Sequence, residues 1–220
     1  MLAQILPQAV VAVESFGGLP PRRGLFGAEE AAIVTADSRR QAEFAAGREC
    51  AHAALAALGA PAGPVLPGRA GEPRWPAGIV GSLTHCAGYR ACAVARAQTM
   101  AAIGIDAEPA RPLPAGLIET VAAPAERRPL AELRLARPEL PWDLLMFCAK
   151  EAVYKAWFPL TGHRLGFAGV LVEFAATGAF TAQVTAAAGV AGQPTGNTAA
   201  RVAGRWLVRD GLALTAAMVP

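Results

Sequence analysis

Glu151 and Lys155, within Phe147-Cys-Ala-Lys-Glu-Ala-Val-Tyr-Lys155, are four residues apart and share one helix face. Upstream, Ile103-Gly-Ile-Asp-Ala-Glu108 carries two carboxylates two residues apart. On a strand that spacing puts Ile103 and Ile105 on one face and Gly104, Asp106 and Glu108 on the other. Two acids on one strand face repel each other unless a cation or basic group compensates. Three carboxylates and a lysine from two elements can hold a divalent metal over a phosphate. Read alone, the same residues also suit a solvent-facing strand end and an ordinary surface ion pair.

Cations that could meet the same ligand are spread along the chain. Arg40 and Arg48 lie two helical turns apart and within about 80° of each other, so they can face one ligand. Two solvated helix arginines would show the same spacing. His85 follows Ser82 and Thr84 and precedes a glycine turn. There it can donate to a phosphate, although a lone histidine is commonly structural or simply exposed. Lys150 adds a second ammonium beside Glu151, and Trp157 and Phe158 follow, a pattern closer to a ligand wall than to a plain solvated face.

The elements that must position these groups are partly legible. A helix over 37–58 is predicted, capped by Asp37 or Ser38 and ended by Gly59 and Pro61, with Phe44, Ala51, Leu55 and Leu58 as its apolar stripe. A strand from Val80 holds Ser82, Leu83, Thr84 and His85, turns at Ala87-Gly88 and returns from Tyr89. A strand over 101–108 carries the acids. Residues 109–142 form a proline-punctuated connection with a short helix near Leu117–Val121, whose apolar residues are either core or a small docking patch. A second strong helix covers 143–158, with Asp143 as a possible N-cap and Leu145, Cys148 and Ala152 buried. Antiparallel strands follow, with Thr177-Gly178 and Asp210-Gly211 as hairpin turns. Residues 1–35 are hard to read, apart from a loop at 17–24 marked by its glycines and prolines. A helix followed by a β-meander occurs in each half, a pseudo-duplicated α+β plan.

The chain has 220 residues, 54% hydrophobic and 17% charged, with net charge +3. That is a globular chain with a sizeable core and without the charge of a nucleic-acid-binding protein. The cysteines at 50, 86, 92 and 148 have no CxxC spacing, which argues against zinc and for reduced thiols in the cytosol. No apolar run approaches the roughly 20 residues of a membrane span, and no basic region precedes the apolar N-terminus. A cytoplasmic protein that contacts neither membrane nor nucleic acid is expected.

Three segments, Gly81-Ser-Leu-Thr-His85, Gly104-Ile-Asp-Ala-Glu108 and Lys150-Glu-Ala-Val-Tyr-Lys155, resemble in order and spacing the Sfp-type phosphopantetheinyl transferases. The helix carrying Arg40 and Arg48, and Gly71-Glu-Pro-Arg-Trp-Pro76, resemble the branch with the actinobacterial and enterobactin-type enzymes. The resemblance covers about residues 37–167. It implies two similar α+β subdomains related by a pseudo-twofold, each a small antiparallel sheet packed with a long helix. The halves would be residues 1–104 on the coenzyme A side and 105–220 on the metal side, with the site in the cleft between them. The implied reaction moves the phosphopantetheine arm of coenzyme A onto a serine of an apo acyl, peptidyl or polyketide carrier protein. By the same resemblance Asp106, Glu108 and Glu151 would hold Mg²⁺ or Mn²⁺. Glu151, Lys155 and His85 would be catalytic. Arg40, Arg48, Arg69, Ser82, Leu83, Thr84, His85, Lys150 and Lys155 would contact coenzyme A. Relatives often carry a basic residue before Gly71; here Arg69 and Arg74 are the available cations, with Arg69 favoured, and Ala107 leaves to water a place that some relatives fill with a polar ligand. An internal pseudo-dimer needs no second chain, so a monomer is expected. Two other readings remain at this stage: a metal-dependent phosphoesterase, and a silent carrier-binding module on the same fold.

Overall fold

The computed structural model describes residues 1–18, 24–175, 177–185 and 200–220. Most of the loop expected over 17–24 lies outside them. A short 3₁₀ turn at Leu2–Ile5 precedes strand β1 (Val11–Phe16) and helices α1 (Gly27–Ile33) and α2 (Ser38–Ala57). A two-stranded ribbon of β2 (Leu66–Pro67) and β3 (Pro73–Arg74) leads to β4 (Ile79–Cys86), β5 (Tyr89–Arg96) and β6 (Ala102–Pro109). Then come α3 (Leu117–Val121), α4 (Pro124–Ala136), α5 (Trp142–Thr161) and strands β7 (Val170–Ala175), β8 (Ala179–Val184), β9 (Ala200–Arg209) and β10 (Leu212–Val219).

Besides the ribbon, the described residues form two larger antiparallel sheets, β1-β5-β4 and β6-β10-β9-β8-β7. They share a topology. In each, the strand that precedes the long helix pairs with the last strand of its sheet, β1 with β5 and β6 with β10. The repeated helix-and-meander pattern is thus a real architectural duplication, elaborated by two extra strands in the second half. α2 packs Cys50, Ala51, Ala54 and Leu55 against Cys92 and Val94 of the first sheet. α5 packs Ala149, Ala152, Val153 and Ala156 into the cluster that holds Phe180, Val202 and Ala213 of the second. A third cluster joins the halves: Ile103 and Ile105 of β6 and Leu214 of β10 meet Tyr89 and Ala93 of β5.

Local chemistry accounts for most boundaries. Asp37 caps α2 by accepting from the Arg40 N–H at 2.9 Å, and Gly59 follows the helix at a φ of +69°. The β9–β10 turn uses Asp210 and Gly211, both at positive φ, as a two-residue hairpin requires.

Three expectations are corrected. α5 begins at Trp142 behind Pro141, and Asp143 is no N-cap; it sits in the first turn and pairs with Arg134 of α4. α5 also runs to Thr161, because Pro159 enters only in its last turn, where few intrahelical bonds remain to be lost. α4 is a whole helix inside the proline-punctuated connection expected over 109–142. Its Pro124 occupies the first turn, and Glu126 supplies the N-terminal cap by accepting from the Ala123 N–H at 2.7 Å. Val121 is fully buried while Leu117 and Ile118 pack partly against the core, so the α3 residues are chiefly core. Among the described residues no helix is long and apolar enough to cross a membrane.

Gly104 sets how closely α5 lies on β6. A Cβ there would stand 1.8 Å from the Ala152 carbonyl oxygen and 2.7 Å from the Ala156 nitrogen. Gly104→Ala is therefore expected to lower stability by at least about 2 kcal/mol, because backbone rather than a flexible side chain must move. Urea unfolding measures it; wild-type stability in the variant would show that α5 can lift without cost.

Candidate functional site

A cleft of about 440 Å³ lies between the halves, within the range that takes small ligands. α2 lines it with Arg40, Glu43, Phe44 and Arg48, β4 with residues 81–85, and β6 with Asp106 and Glu108. α5 contributes Phe147, Glu151, Tyr154, Lys155 and Phe158, and the β2–β3 ribbon closes one rim.

The acidic end is built where α5 lies on β6. Strand alternation turns Gly104, Asp106 and Glu108 toward α5, and the bare Cα of Gly104 lets the helix come close. Lys155 Nζ consequently reaches the Ile105 carbonyl at 3.1 Å and Asp106 Oδ1 at 2.6 Å. An ammonium has three donors, so one remains for the cleft. Asp106 is 5% exposed, and among the described residues its buried Oδ2 has no hydrogen-bond partner. The buried Cys148 thiol lies against the same carboxylate, and burial, then Asp106, raise its pKa. Burial, then Asp106, raise the carboxyl pKa values of both Glu108 and Glu151, with Lys155 opposing. Such a cluster disfavours its own full ionisation and gains from a cation.

Among the described residues no three His, Cys, Asp or Glu side chains draw together tightly enough to enclose an ion. The carboxylates form an open set instead. Mg²⁺ suits an open set, since it keeps several waters and is held by one or two carboxylates together with substrate phosphates. The bare, buried Asp106 Oδ2 is the atom that most needs such an ion. The residues present thus fit a hard divalent metal.

The basic wall is of two kinds. Arg40 is half exposed and borders the cleft. Arg48 is 6% exposed; its Nε donates to the Val65 carbonyl, and its guanidinium lies 4.1 Å from the centre of the Phe44 ring. Burial, more than the nearby Arg40, pushes its pKa down to about 10, which leaves it protonated at neutral pH. Val65 is clamped from its other side by Glu29, fully buried, whose Oε1 accepts the Val65 N–H at 2.7 Å. Arg48 therefore both faces the cleft and tethers the chain leading into the ribbon. His85 stands at the cleft mouth. Partial burial, with Arg40 and Lys155 adding to it, lowers its pKa against the pull of Glu43 and Asp106.

The hydroxyls of β4 face inward. Ser82 Oγ accepts the Ile105 N–H at 3.1 Å and Thr84 Oγ1 accepts the Ala107 N–H at 3.1 Å. Leu83, between them, is half-buried and lines the cleft.

Ten of the expected site residues, Arg40, Arg48, Ser82, Leu83, Thr84, His85, Asp106, Glu108, Glu151 and Lys155, line this one cleft. Two do not. Lys150 points away, because adjacent helix residues are about 100° apart. Its buried Nζ donates to the Val121 carbonyl at 2.8 Å, Glu126 Oε2 at 2.6 Å and the Phe167 carbonyl at 3.0 Å, which leaves no N–H for a phosphate. Arg69 is exposed and does not line the cleft, although Pro67 and Ala70 beside it do. Missed in the sequence were Glu43, Phe44, Phe147 and Tyr154. The last two were within reach of the pattern, since Phe147, Glu151, Tyr154, Lys155 and Phe158 follow helical spacing along one face of α5. Glu43 could have been found three residues after Arg40.

A cleft with two arginines, a histidine and a lysine opposite a carboxylate set that fits a cation suits a phosphorylated ligand on an α+β fold. Two family models match parts of the chain: the 4′-phosphopantetheinyl transferase N-terminal domain matches residues 28–95, and the 4′-phosphopantetheinyl transferase superfamily matches residues 102–203. The chain is 47% identical over 223 residues to the 4′-phosphopantetheinyl transferase Svp of Streptomyces mobaraensis, covering 100% of this chain and 89% of Svp. It is 41% identical to the 4′-phosphopantetheinyl transferase PptT of Mycobacterium tuberculosis, over 98% and 96% of the two chains. Enterobactin synthase component D of Escherichia coli is 36% identical over 57% of this chain and 59% of its own. The chain belongs to the 4′-phosphopantetheinyl transferase superfamily, and it is a transferase of that kind, its family's reaction being phosphopantetheine transfer to carrier proteins.

Proposed function

We propose that the chain takes coenzyme A and an apo acyl, peptidyl or polyketide carrier protein as substrates and uses Mg²⁺, or Mn²⁺, held by Asp106, Glu108 and Glu151. The observation that carries this reading is the bare Asp106 Oδ2 beside Lys155, at the end of a cleft whose other wall holds Arg40 and Arg48. The serine Oγ of the carrier attacks the phosphorus that bears the pantetheine arm. An O–P bond forms there, the pyrophosphate P–O bond breaks, and adenosine 3′,5′-bisphosphate leaves.

Bound metal would neutralise the pyrophosphate and the charge gathering on the leaving phosphate. The chain supplies the rest. Arg40 and Arg48 hold phosphate oxygens, where guanidinium forks give paired contacts. His85 donates to a further phosphate oxygen from the cleft mouth. Lys155 directs its remaining N–H at the transferring or leaving oxygens. Glu151 takes the serine proton, directly or through a water, with the oxygen that does not bind metal. Residues 1–104 serve the coenzyme and 105–220 the metal. The enzyme works in the cytoplasm, as a monomer, on carriers of fatty-acid, polyketide or nonribosomal-peptide synthesis.

Intact-mass measurement of apo carriers incubated with the protein, coenzyme A and Mg²⁺ tests this directly. The carrier is expected to gain one phosphopantetheine, and chelation to prevent the gain. Coenzyme A binding without any gain across carrier types would favour a metal-dependent phosphoesterase, and absence of binding would end the reading.

Arg48→Ala is expected to raise the coenzyme A KM by at least about tenfold and to lower kcat less, since it removes a charge-assisted contact made before chemistry. Steady-state kinetics decide it; an unchanged KM takes Arg48 out of the ligand site and leaves it only its Val65 tether.

A further inference from the structure

On the reading of the cleft just given, we infer that Thr84 is a positioning residue for Asp106, fixing which carboxylate oxygen is offered to the metal, and that its hydroxyl is not given to coenzyme A. The family resemblance implies a contact between Thr84 and coenzyme A. The hydrogen bonds of Thr84 indicate otherwise. A threonine hydroxyl has one donor and two acceptor lone pairs. Thr84 Oγ1 accepts the Ala107 N–H at 3.1 Å and directs its only donor at Asp106 Oδ1, 3.4 Å away. A phosphate oxygen requires a donor, and the only donor of this hydroxyl faces Asp106, over a long 3.4 Å contact. Thr84 is moreover 4% exposed.

The consequence falls on Asp106. Thr84 and Lys155 both hold Oδ1, at 3.4 and 2.6 Å, and among the described residues Oδ2 accepts no hydrogen bond, with the Cys148 thiol beside the carboxylate. Rotation of the carboxylate would exchange the two oxygens, and the two donors on one side oppose that exchange. Thr84 also belongs to the seam between the halves. β4 and β6 lie in different sheets, and no backbone ladder joins them. Ser82 and Thr84 instead satisfy the N–H groups of Ile105 and Ala107, so two hydroxyls do what a ladder would do. The residue after Thr84 is His85 and the residue before Ala107 is Asp106. The seam therefore sets the distance from the histidine at the cleft mouth to the metal carboxylate.

The test compares Thr84→Val, which keeps the shape and loses the hydroxyl, with Thr84→Ser, which keeps the hydroxyl. Three quantities are read on the full chain: coenzyme A affinity in EDTA by calorimetry, Mn²⁺ affinity of the coenzyme A complex by paramagnetic resonance, and transfer kinetics. Thr84→Val is expected to bind coenzyme A in EDTA within about twofold of wild type. Its Mn²⁺ affinity and kcat should each fall about 10- to 100-fold, the usual effect of losing a partner that orients a metal ligand. Thr84→Ser should recover both to within about threefold. Coenzyme A affinity in EDTA that falls along with Mn²⁺ affinity would make Thr84 a coenzyme contact and overturn the inference. So would a serine variant as poor as valine, or a valine variant with unchanged Mn²⁺ affinity.

Wild-type protein gives a second measurement that survives a misfolded variant. The Ile105 and Ala107 amides should exchange slowly and equally with and without saturating coenzyme A. Loss of their protection when coenzyme A binds would mean the hydroxyls leave β6 for the ligand, again overturning the inference. A wild-type protein that binds coenzyme A and Mn²⁺ but transfers nothing would instead defeat the transferase chemistry proposed above, leaving the metal and exchange results to judge Thr84.

Discussion

Glu151→Gln should transfer phosphopantetheine at least about 10³-fold more slowly than wild type and melt at the same temperature or slightly above it. Loss of a general base alone costs about 10²- to 10⁴-fold, and here the same change removes a proposed metal ligand. The fold should not suffer. Among the described residues Glu151 has no hydrogen-bond or ion-pair partner to lose, and burial and Asp106 already disfavour its charge. An uncharged isostere relieves that repulsion. Single-turnover assays with thermal melts read both quantities. A rate within a few-fold of wild type would remove Glu151 from both roles, whereas a collapsed melting temperature would mean the loss reports unfolding.

Lys150→Met should do the opposite, lowering stability far more than it changes coenzyme A binding. Lys150 and Glu126 form a buried ion pair in which every ammonium N–H is used. Burial lowers the Lys150 pKa, and the hydrogen bond and charge of Glu126 oppose that shift. Glu126 also accepts from the Val172 N–H at 2.6 Å, so the pair ties α3, α4, α5 and β7 together. Removing one partner of a buried pair leaves a desolvated charge and costs about 3 to 5 kcal/mol. For a chain of this size that is a fall in melting temperature on the order of 10 °C. Lys150→Met combined with Glu126→Gln should regain part of it, because the stranded carboxylate is gone. Normal stability with a raised coenzyme A KM would restore Lys150 to the ligand site.

The neighbours Lys150 and Glu151 show where sequence reasoning stops. Helical spacing correctly placed Glu151 and Lys155 on one face, since 3.6 residues per turn holds wherever the helix packs. It could not tell that the face of Lys150 meets Glu126, 24 residues away, because that partner sits on a helix obscured by Pro124 and Pro129. Strand alternation likewise put Asp106 and Glu108 on one face with Gly104. That Gly104 seats α5 became visible only with the helix in place.

The sequence by itself determined the elements with strong periodicity or punctuation: α2 with its Asp37 cap, α5, the Asp210-Gly211 hairpin, the alternation of β6, and three short motifs in a recognisable order. These depend on local geometry, which a few neighbouring residues dictate. Tertiary structure alone decided the pairing of β1 with β5, the use of Ser82 and Thr84 as a seam, the bare oxygen of Asp106 and the withdrawal of Lys150 from the cleft. Each of these turns on which distant group lies within 3 or 4 Å of a polar atom. A side chain's chemistry in a folded protein is set by the partners that have already claimed its donors and acceptors, and those partners come from anywhere in the chain.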